Sequence, residues 1–361
     1  MLTCRLVEGL HDLAEISEAW DRLVGQSEFN DLYATAGFAR AWWRAYGKTR
    51  SLRIAVIGDD SSQVRLIAPF YSDISRPLVW KIVGSFSADY SNLIFRRADW
   101  RSLDCFRSWL VKNREWHVIL LNGVPKESSL CRFHYTWDIG SSLLTNIRSV
   151  IRSRPPLVYR RWRWRHPLIN RSKLQSLRSM LDAKHYRKHV NWFSRQGTLQ
   201  YHCILDPREI LTHLPDFAKM HTGEWAARGQ RSLYTSDESR RFHEYLIEEL
   251  EPYRAVRLDI LTLDHKAIAA HFGFNWNGRV YYYRPCYDHT FEDHSPGRLL
   301  LAHIIKRAVE DGASEVDLLG GMEEYKMKLS SDIRATASMQ MYRGLESLPY
   351  AVLSRLGCLD N

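Results

Sequence analysis

The sequence predicts an α/β chain of two units, each a mixed, mainly antiparallel sheet flanked by helices. Three observations predict it. The 361 residues exceed the roughly 100–200 that one domain usually holds. The first 155 residues alternate helical and strand patterns. From residue 254 the order becomes strand, strand, strand, helix, strand, which makes a mixed sheet with one crossover helix packed on its face. The expected division is 1–155 and 156–361.

Taken in order, "HDLAEISEAWDRLVGQS" spaces Leu13, Ile16, Trp20 and Leu23 as one helix face, with Gly25 closing it. "TAGFARAWWRAYGK" is a second amphipathic helix, capped by Thr35 and ended by Gly47. Strands follow at "LRIAVIG", "QVRLIAPFYSD" and "LVWKIVGS", then the helix "DWRSLDCFRSWLVKN" and the strand "WHVILLNGV". "VYRRWRWRH" alternates as a strand after a Pro-punctuated linker, and a basic helix pair runs on to Gly197. The helix "PDFAKMHTGEWAARG" and a helix capped by Ser236 lead to "AVRLDILTLD" and "KAIAAHFGFNWN", which join at an Asp264-His265 hairpin turn. "GRVYYYRPCYD" enters through Asn277-Gly278. A helix over Pro296–Glu310, ended by Gly312, precedes "SEVDLLGG", "MEEYKMKLS" and a closing strand "ASMQMYRG".

Composition narrows the function classes. Six scattered cysteines form no CxxC pair and lie at no metal-ligand spacing, which fits a reduced chain and no metal. The start carries charges inside every apolar run, unlike a signal peptide, and no window has the ~18 apolar residues a membrane span needs. A cytoplasmic location is expected. The net charge of +10 favours anionic partners. It concentrates in 152–195, where thirteen Arg and Lys face a single acid, Asp182.

"DHSPGRLLLAH" punctuates the chain just before its most apolar helix. Ser295 suits the N-cap and Pro296 the first turn, whereas Gly297 costs up to ~1 kcal/mol relative to alanine there. Glycine gains its use if something must approach the backbone, and free N–H groups at a helix N-terminus attract phosphate.

With that loop in place, residues Leu261–Lys328 resemble the GNAT acyltransferases. More specifically, they resemble the CelD-like, cellulose-biosynthesis-associated branch. The likeness rests on "LDHKAIAAHFGFNWNGRVYYYRPCYDHTFEDHSPGRLLLAHIIKRAVEDGASEVDLLGGMEEYKMKL". Upstream "MHTGEWAARG" and the basic helix Tyr186–Gly197 fit the same group. The resemblance implies two tandem GNAT-like domains, the N-terminal one degenerate, and kinship with Fem-type aminoacyltransferases. It also implies an N-acyltransferase that moves an acyl group, acetyl first among them, from acyl-CoA to a primary amine of a small biosynthetic acceptor. The amine would attack the thioester directly in a ternary complex. In the usual phosphate loop a Gln or Arg stands where this chain has His294, and the branch has Pro where this chain has His289.

Such chemistry needs a base for the amine, donors for the thioester carbonyl and an acid for the thiolate. The candidates for catalysis are His271, Asp288, Tyr287 and Lys326. His294, Ser295, Pro296, Gly297 and Arg298 would hold the cofactor phosphates, with Phe272 and Gly273 beside the acyl group. His221, Glu224 and Trp225 share one helix face and, with Tyr283 and Glu323, would line the acceptor pocket. The segment 152–195 opens two other readings. Arg interleaved with Trp in "YRRWRWRH" suits stacking and charge neutralisation on nucleic acid, either as a tRNA contact of a Fem-type transferase or in a nucleic-acid-binding protein.

Overall fold

The computed structural model describes residues 1–61, 63–133 and 157–343, with the backbone alone for 157–163. Two compact units emerge, one from Met1–Trp164 with Ala335–Asn361, the other from Arg165–Arg334. The expected division at residue 155 falls outside the described residues.

The first unit opens with β1 (Leu2–Val7), α1 (Leu10–Gln26) and α2 (Ala36–Tyr46). Thr35 caps α2 by accepting from the Phe38 N–H at 3.2 Å, as its sequence suggests. Gly25 does not end α1, which runs on to Gln26 because no close contact or turn is needed there. Strands β2 (Arg50–Asp59), β3 (Val64–Asp73), β4 (Arg76–Ile82) and β5 (Ile94–Phe95) follow, then α3 (Trp100–Lys112), β6 (Val118–Pro125) and α4 (Ser129–Phe133). The sheet runs β1-β2-β3-β4-β6-β13, the last strand β13 (Asp332–Tyr342) coming from the far end of the described chain. β4 and β6 are parallel over Val79–Lys81 and Val118–Leu120, and their other partners are antiparallel. Phe70, Trp80, Phe106, Trp116 and Met339 fill its core.

The second unit begins in β7 (Leu157–Asn170), with α5 (Arg171–Leu177), α6 (Lys184–Gln196), β8 (Leu199–Ile204), α7 (Pro207–Ala227) and α8 (Asp237–Glu249). Helix α7 starts eight residues before the expected Pro215. Asp206 accepts from the Arg208 and Glu209 N–H groups and Pro207 takes the first turn, a stronger start signal than Pro215. Strands β9 (Val256–Leu263), β10 (Lys266–Trp276) and β11 (Arg279–Tyr287) form the meander, and α9 (Pro296–Glu310) crosses to β12 (Glu315–Asp317) and α10 (Glu324–Leu329). Both hairpin turns use paired positive φ, 46° and 68° at Asp264-His265 and 48° and 74° at Asn277-Gly278. The strand order is β7-β12-β11-β10-β9-β8, with β12 parallel to β11. Leu300, Leu301, Ile304 and Ile305 of α9 pack on Leu261, Ile268, Val280 and Val316 of the sheet. Burying each such side chain stabilises the unit by about 1.5–3 kcal/mol. The architecture is the expected one: two units, each a mixed, mainly antiparallel sheet flanked by helices.

Candidate active site in the second unit

β11 pairs with β12 over Arg279–Tyr281 and Glu315–Asp317 and then parts from it. The wedge so formed leads straight to α9. Asp288 follows β11 and caps a 3₁₀ turn over His289–His294, accepting from the Thr290 N–H at 3.0 Å and its hydroxyl at 2.6 Å. Ser295 then turns left-handed (φ 52°, ψ 50°) and makes no side-chain cap, a correction to the expected Ser cap. Its carbonyl accepts from the Arg298 and Leu299 N–H groups at 3.1 and 3.2 Å. Among the described residues this leaves the Gly297 N–H and the Ser295 hydroxyl without partners, beside the exposed Arg298. Pro296 is buried at the first turn. A Cβ on Gly297 would meet Tyr287 Cδ1 at 3.4 Å, so the glycine keeps the space between helix and strand clear.

Across that space stands α7. Glu224, 4% exposed, accepts the Tyr287 N–H on Oε2 at 3.1 Å and Arg228 Nη2 on Oε1 at 2.5 Å. Arg228 also donates to the Tyr287 hydroxyl at 3.2 Å, and that hydroxyl donates to Glu292 Oε1 at 3.3 Å. Burial pushes the Glu224 carboxyl up, against the opposing pull of Arg228 and the Tyr287 N–H. Tyr325 lies close enough to Glu224 and Arg228 to feel both charges. A carboxyl held up by burial, a cation and a phenol thus converge beside an anion-seeking helix start.

Other candidates are placed elsewhere. His271 is fully buried on β10. Its Nδ1 lies 2.9 Å from Asp259 Oδ2, and its Nε2 accepts the Tyr283 N–H at 3.1 Å. Both ring nitrogens of this catalytic candidate are thus engaged, with Asp259 on one side and the Tyr283 N–H on the other. Gly273 makes room for it, since a Cβ there would lie 2.1 Å from His271 Cε1, in the irregular register between β10 and β11. Phe272 is likewise interior, among Phe217, Phe274 and His243. Asp259 also accepts from Arg257, at 2.6 and 2.9 Å, and from the Tyr201 hydroxyl at 2.6 Å. Burial would raise this carboxyl, but Arg257 and His271 outweigh it and hold it well below the usual range.

Asp288 is spent on its cap and on Lys266 at 3.1 Å. Lys326, almost buried, gives its ammonium to the Gly320 carbonyl at 2.6 Å and to Glu323 at 3.3 Å, bracing the loop after β12. Tyr283 lies under the Arg284 guanidinium, 4.1 Å from the ring centre. His221 Nδ1 meets the Ser232 hydroxyl at 2.9 Å and its ring stacks on Trp225, with burial and then Arg284 pushing it down to about 4. His294 stacks flat on Trp192 at 3.4 Å. The structure therefore brings together Glu224, Tyr287, Ser295, Gly297 and Arg298 from the expected set. It adds Arg228, which an i,i+4 pairing with Glu224 in "GEWAARG" signals, and the Arg257–Asp259 pair, flagged by charges two apart in an apolar strand. Arg160, Arg161 and Arg163 of the basic segment have side chains outside the described residues.

Among the described residues no helix is long and apolar enough to cross a membrane, and no three His, Cys, Asp or Glu side chains are placed to hold a metal ion. The strand order, the crossover helix and the wedge define a tandem GNAT-type fold. Residues 182–327, within the second unit, match the family described as acetyltransferase (GNAT) domain. Solved structures similar over the whole length include FemX (TM-score 0.63, 11% identity, 96% of this chain and 98% of that one). The C-terminal domain of a putative lysylphosphatidylglycerol synthetase from Agrobacterium fabrum is similar at TM-score 0.56 and 10% identity, over 95% and 96% of the two chains. A tandem GNAT protein from the clavulanic acid biosynthesis pathway follows at TM-score 0.50 and 10% identity, over 94% and 98%. At these identities the likeness is one of fold. No curated protein sequence matches the chain significantly.

Proposed function

We propose that the second unit is an N-acyltransferase of the CelD-like kind, moving an acetyl or other acyl group from acyl-CoA to a primary amine of a small biosynthetic acceptor. One observation carries this reading: the wedge between β11 and β12 opens onto a helix start whose donors are unclaimed, with Glu224, Arg228 and Tyr287 at its edge. The residues fit the cofactor. Ser295 Oγ, the Gly297 N–H and Arg298 would hold the pyrophosphate, and bound acyl-CoA supplies a thioester carbonyl open to attack.

Glu224 is the proton acceptor for the amine, its burial raising the carboxyl toward a useful basicity. As the N–C bond forms and the C–S bond breaks, the amine proton passes to Glu224 and the Tyr287 hydroxyl gives its proton to the departing thiolate. Tyr287 regains a proton from Glu224 through solvent, so the products are amide and free thiol. Glu224→Gln is expected to lower turnover about 10²–10⁴-fold, measured as CoA release, while acetyl-CoA affinity stays within a few-fold. Calorimetry with acetyl-CoA tests the whole reading, and no binding at millimolar ligand overturns it.

The exposed Lys184, Arg187, Lys188 and Arg195 of α6 favour a second donor, aminoacyl-tRNA. Tight tRNA binding that falls steeply with salt and is lost on neutralising Arg187 and Lys188 would select it.

A further inference from the structure

Past Tyr282, β11 has no main-chain donor left for a substrate. Arg284 and Cys286 stand opposite Phe272 and Ala270 of β10, and the Asp288 N–H reaches the Ile268 carbonyl. The alternate positions 283, 285 and 287 would offer N–H groups to the wedge. The Tyr283 N–H is taken by His271, the Tyr287 N–H by Glu224, and residue 285 is proline. A thioester carbonyl in the wedge would therefore find no amide from this edge as negative charge gathers on its oxygen. Arg228 is the donor that remains. It uses Nη2 for Glu224 and Tyr287, while its Nε and Nη1 have no partner among the described residues, and its side chain is 47% exposed on the open side.

We infer that Arg228 is a catalytic residue, its free guanidinium N–H groups stabilising the oxygen of the attacked carbonyl in place of backbone amides. The assignment rests on the acyl-CoA reading above. It explains why the chain can hold a proline at 285 and clamp both neighbouring amides. A planar cation with several donors in a fixed fork suits this role better than an ammonium.

The test uses the full chain with acetyl-CoA and ethanolamine as the amine probe, reading free thiol continuously and acetyl-CoA binding by calorimetry. Because Arg228 also touches Glu224, kcat is followed across pH. R228K and R228A are expected to lower the plateau kcat about 10²–10³-fold, the usual effect of losing one oxyanion donor. Acetyl-CoA affinity should change less than about threefold, and methylguanidine should restore part of the R228A rate. A plateau kept intact while the acidic limb moves would show that Arg228 acts only through Glu224, and would overturn the inference. A loss confined to KM would overturn it too. If the wild-type chain neither binds acetyl-CoA nor releases CoA, the acyl-CoA reading itself fails and this assignment goes with it; binding with normal turnover in both variants removes the assignment alone.

Discussion

In the first unit Asp31 is the one charged side chain buried among the described residues, and the core from Phe70 to Met339 is apolar. In the second, Arg257, Asp259, His271, Glu224, Lys326, His221 and His243 are all buried. The wedges differ in the same sense. Between β4 and β6 the loop after Ile82 fills the gap. The Ser91 N–H reaches the Gly123 carbonyl at 3.0 Å, the Ser91 hydroxyl bonds the Asn122 carbonyl, and a Cβ on Gly123 would lie 2.7 Å from the Asp89 carbonyl. Between β11 and β12 the chain instead turns directly into α9. One copy of the fold closes its wedge with backbone, while the other keeps an opening with Glu224 and Arg228 at its edge. Burying charge is costly unless it is paired, and beside the wedge the second unit accepts that cost at Glu224, which is bonded to Arg228 and the Tyr287 N–H.

The sharpest way to break the contrast is to unpair one buried charge. Asp259→Ala leaves Arg257 fully buried without its carboxylate, and the Tyr201 and His271 donors unmatched. The expected loss is about 3–5 kcal/mol of stability, read as a fall in the urea midpoint. A midpoint close to wild type would mean that the network contributes little and that the second unit is stabilised as the first is, by apolar packing.

Much of this was legible in the residues. Asp264-His265 and Asn277-Gly278 named their hairpins, Thr35 and Ser236 their caps, and "SPG" the start of α9. β1 and β8 were less so, because the alternation in "LTCRLV" and "LQYHCI" lasts only six residues beside much longer helical patterns. Tyr287, Gly297 and Glu224 could be listed as candidates, yet their convergence depends on α7 crossing the end of β11, which no local pattern encodes. The surroundings of His271 were hidden for a similar reason. Its partner Asp259 is twelve residues away and opposes it only through the β9–β10 register. Sequence spacing shows that a histidine lies on a strand, but not that both of its nitrogens are already occupied.

A milder perturbation is acid. Burial is the main cause that brings His221 and His303 down to about 4 from an ordinary 6.5. Between those values the unfolded chain binds protons that the folded second unit refuses. Stability is then fully present above pH 6.5 and falls as pH drops toward 4, by about 2 kcal/mol per histidine at pH 5. Urea unfolding at pH 7 and pH 5 should show the fall, and His221→Gln should flatten it by about that amount. An unchanged pH slope in the variant would remove His221 from the account.

The smallest effect on the fold, and the most telling for the wedge, is expected at Gly297. Gly123 in the first unit has a φ of +85° and a carbonyl against its α-carbon, so its glycine is a packing requirement. Gly297 has neither restraint: it lies in the first turn of α9, and a Cβ there meets only the Tyr287 ring at contact distance. Gly297→Val should therefore leave the melting temperature within a few degrees, since valine replaces glycine in a helix at no penalty. The added methyl groups would crowd the Gly297 N–H and the space before Tyr287. Affinity for acetyl-CoA is expected to fall about tenfold, roughly 1.4 kcal/mol, in calorimetry at fixed salt. If the affinity is unchanged, the phosphates do not sit at this helix start, and the glycine is a helix residue like any other.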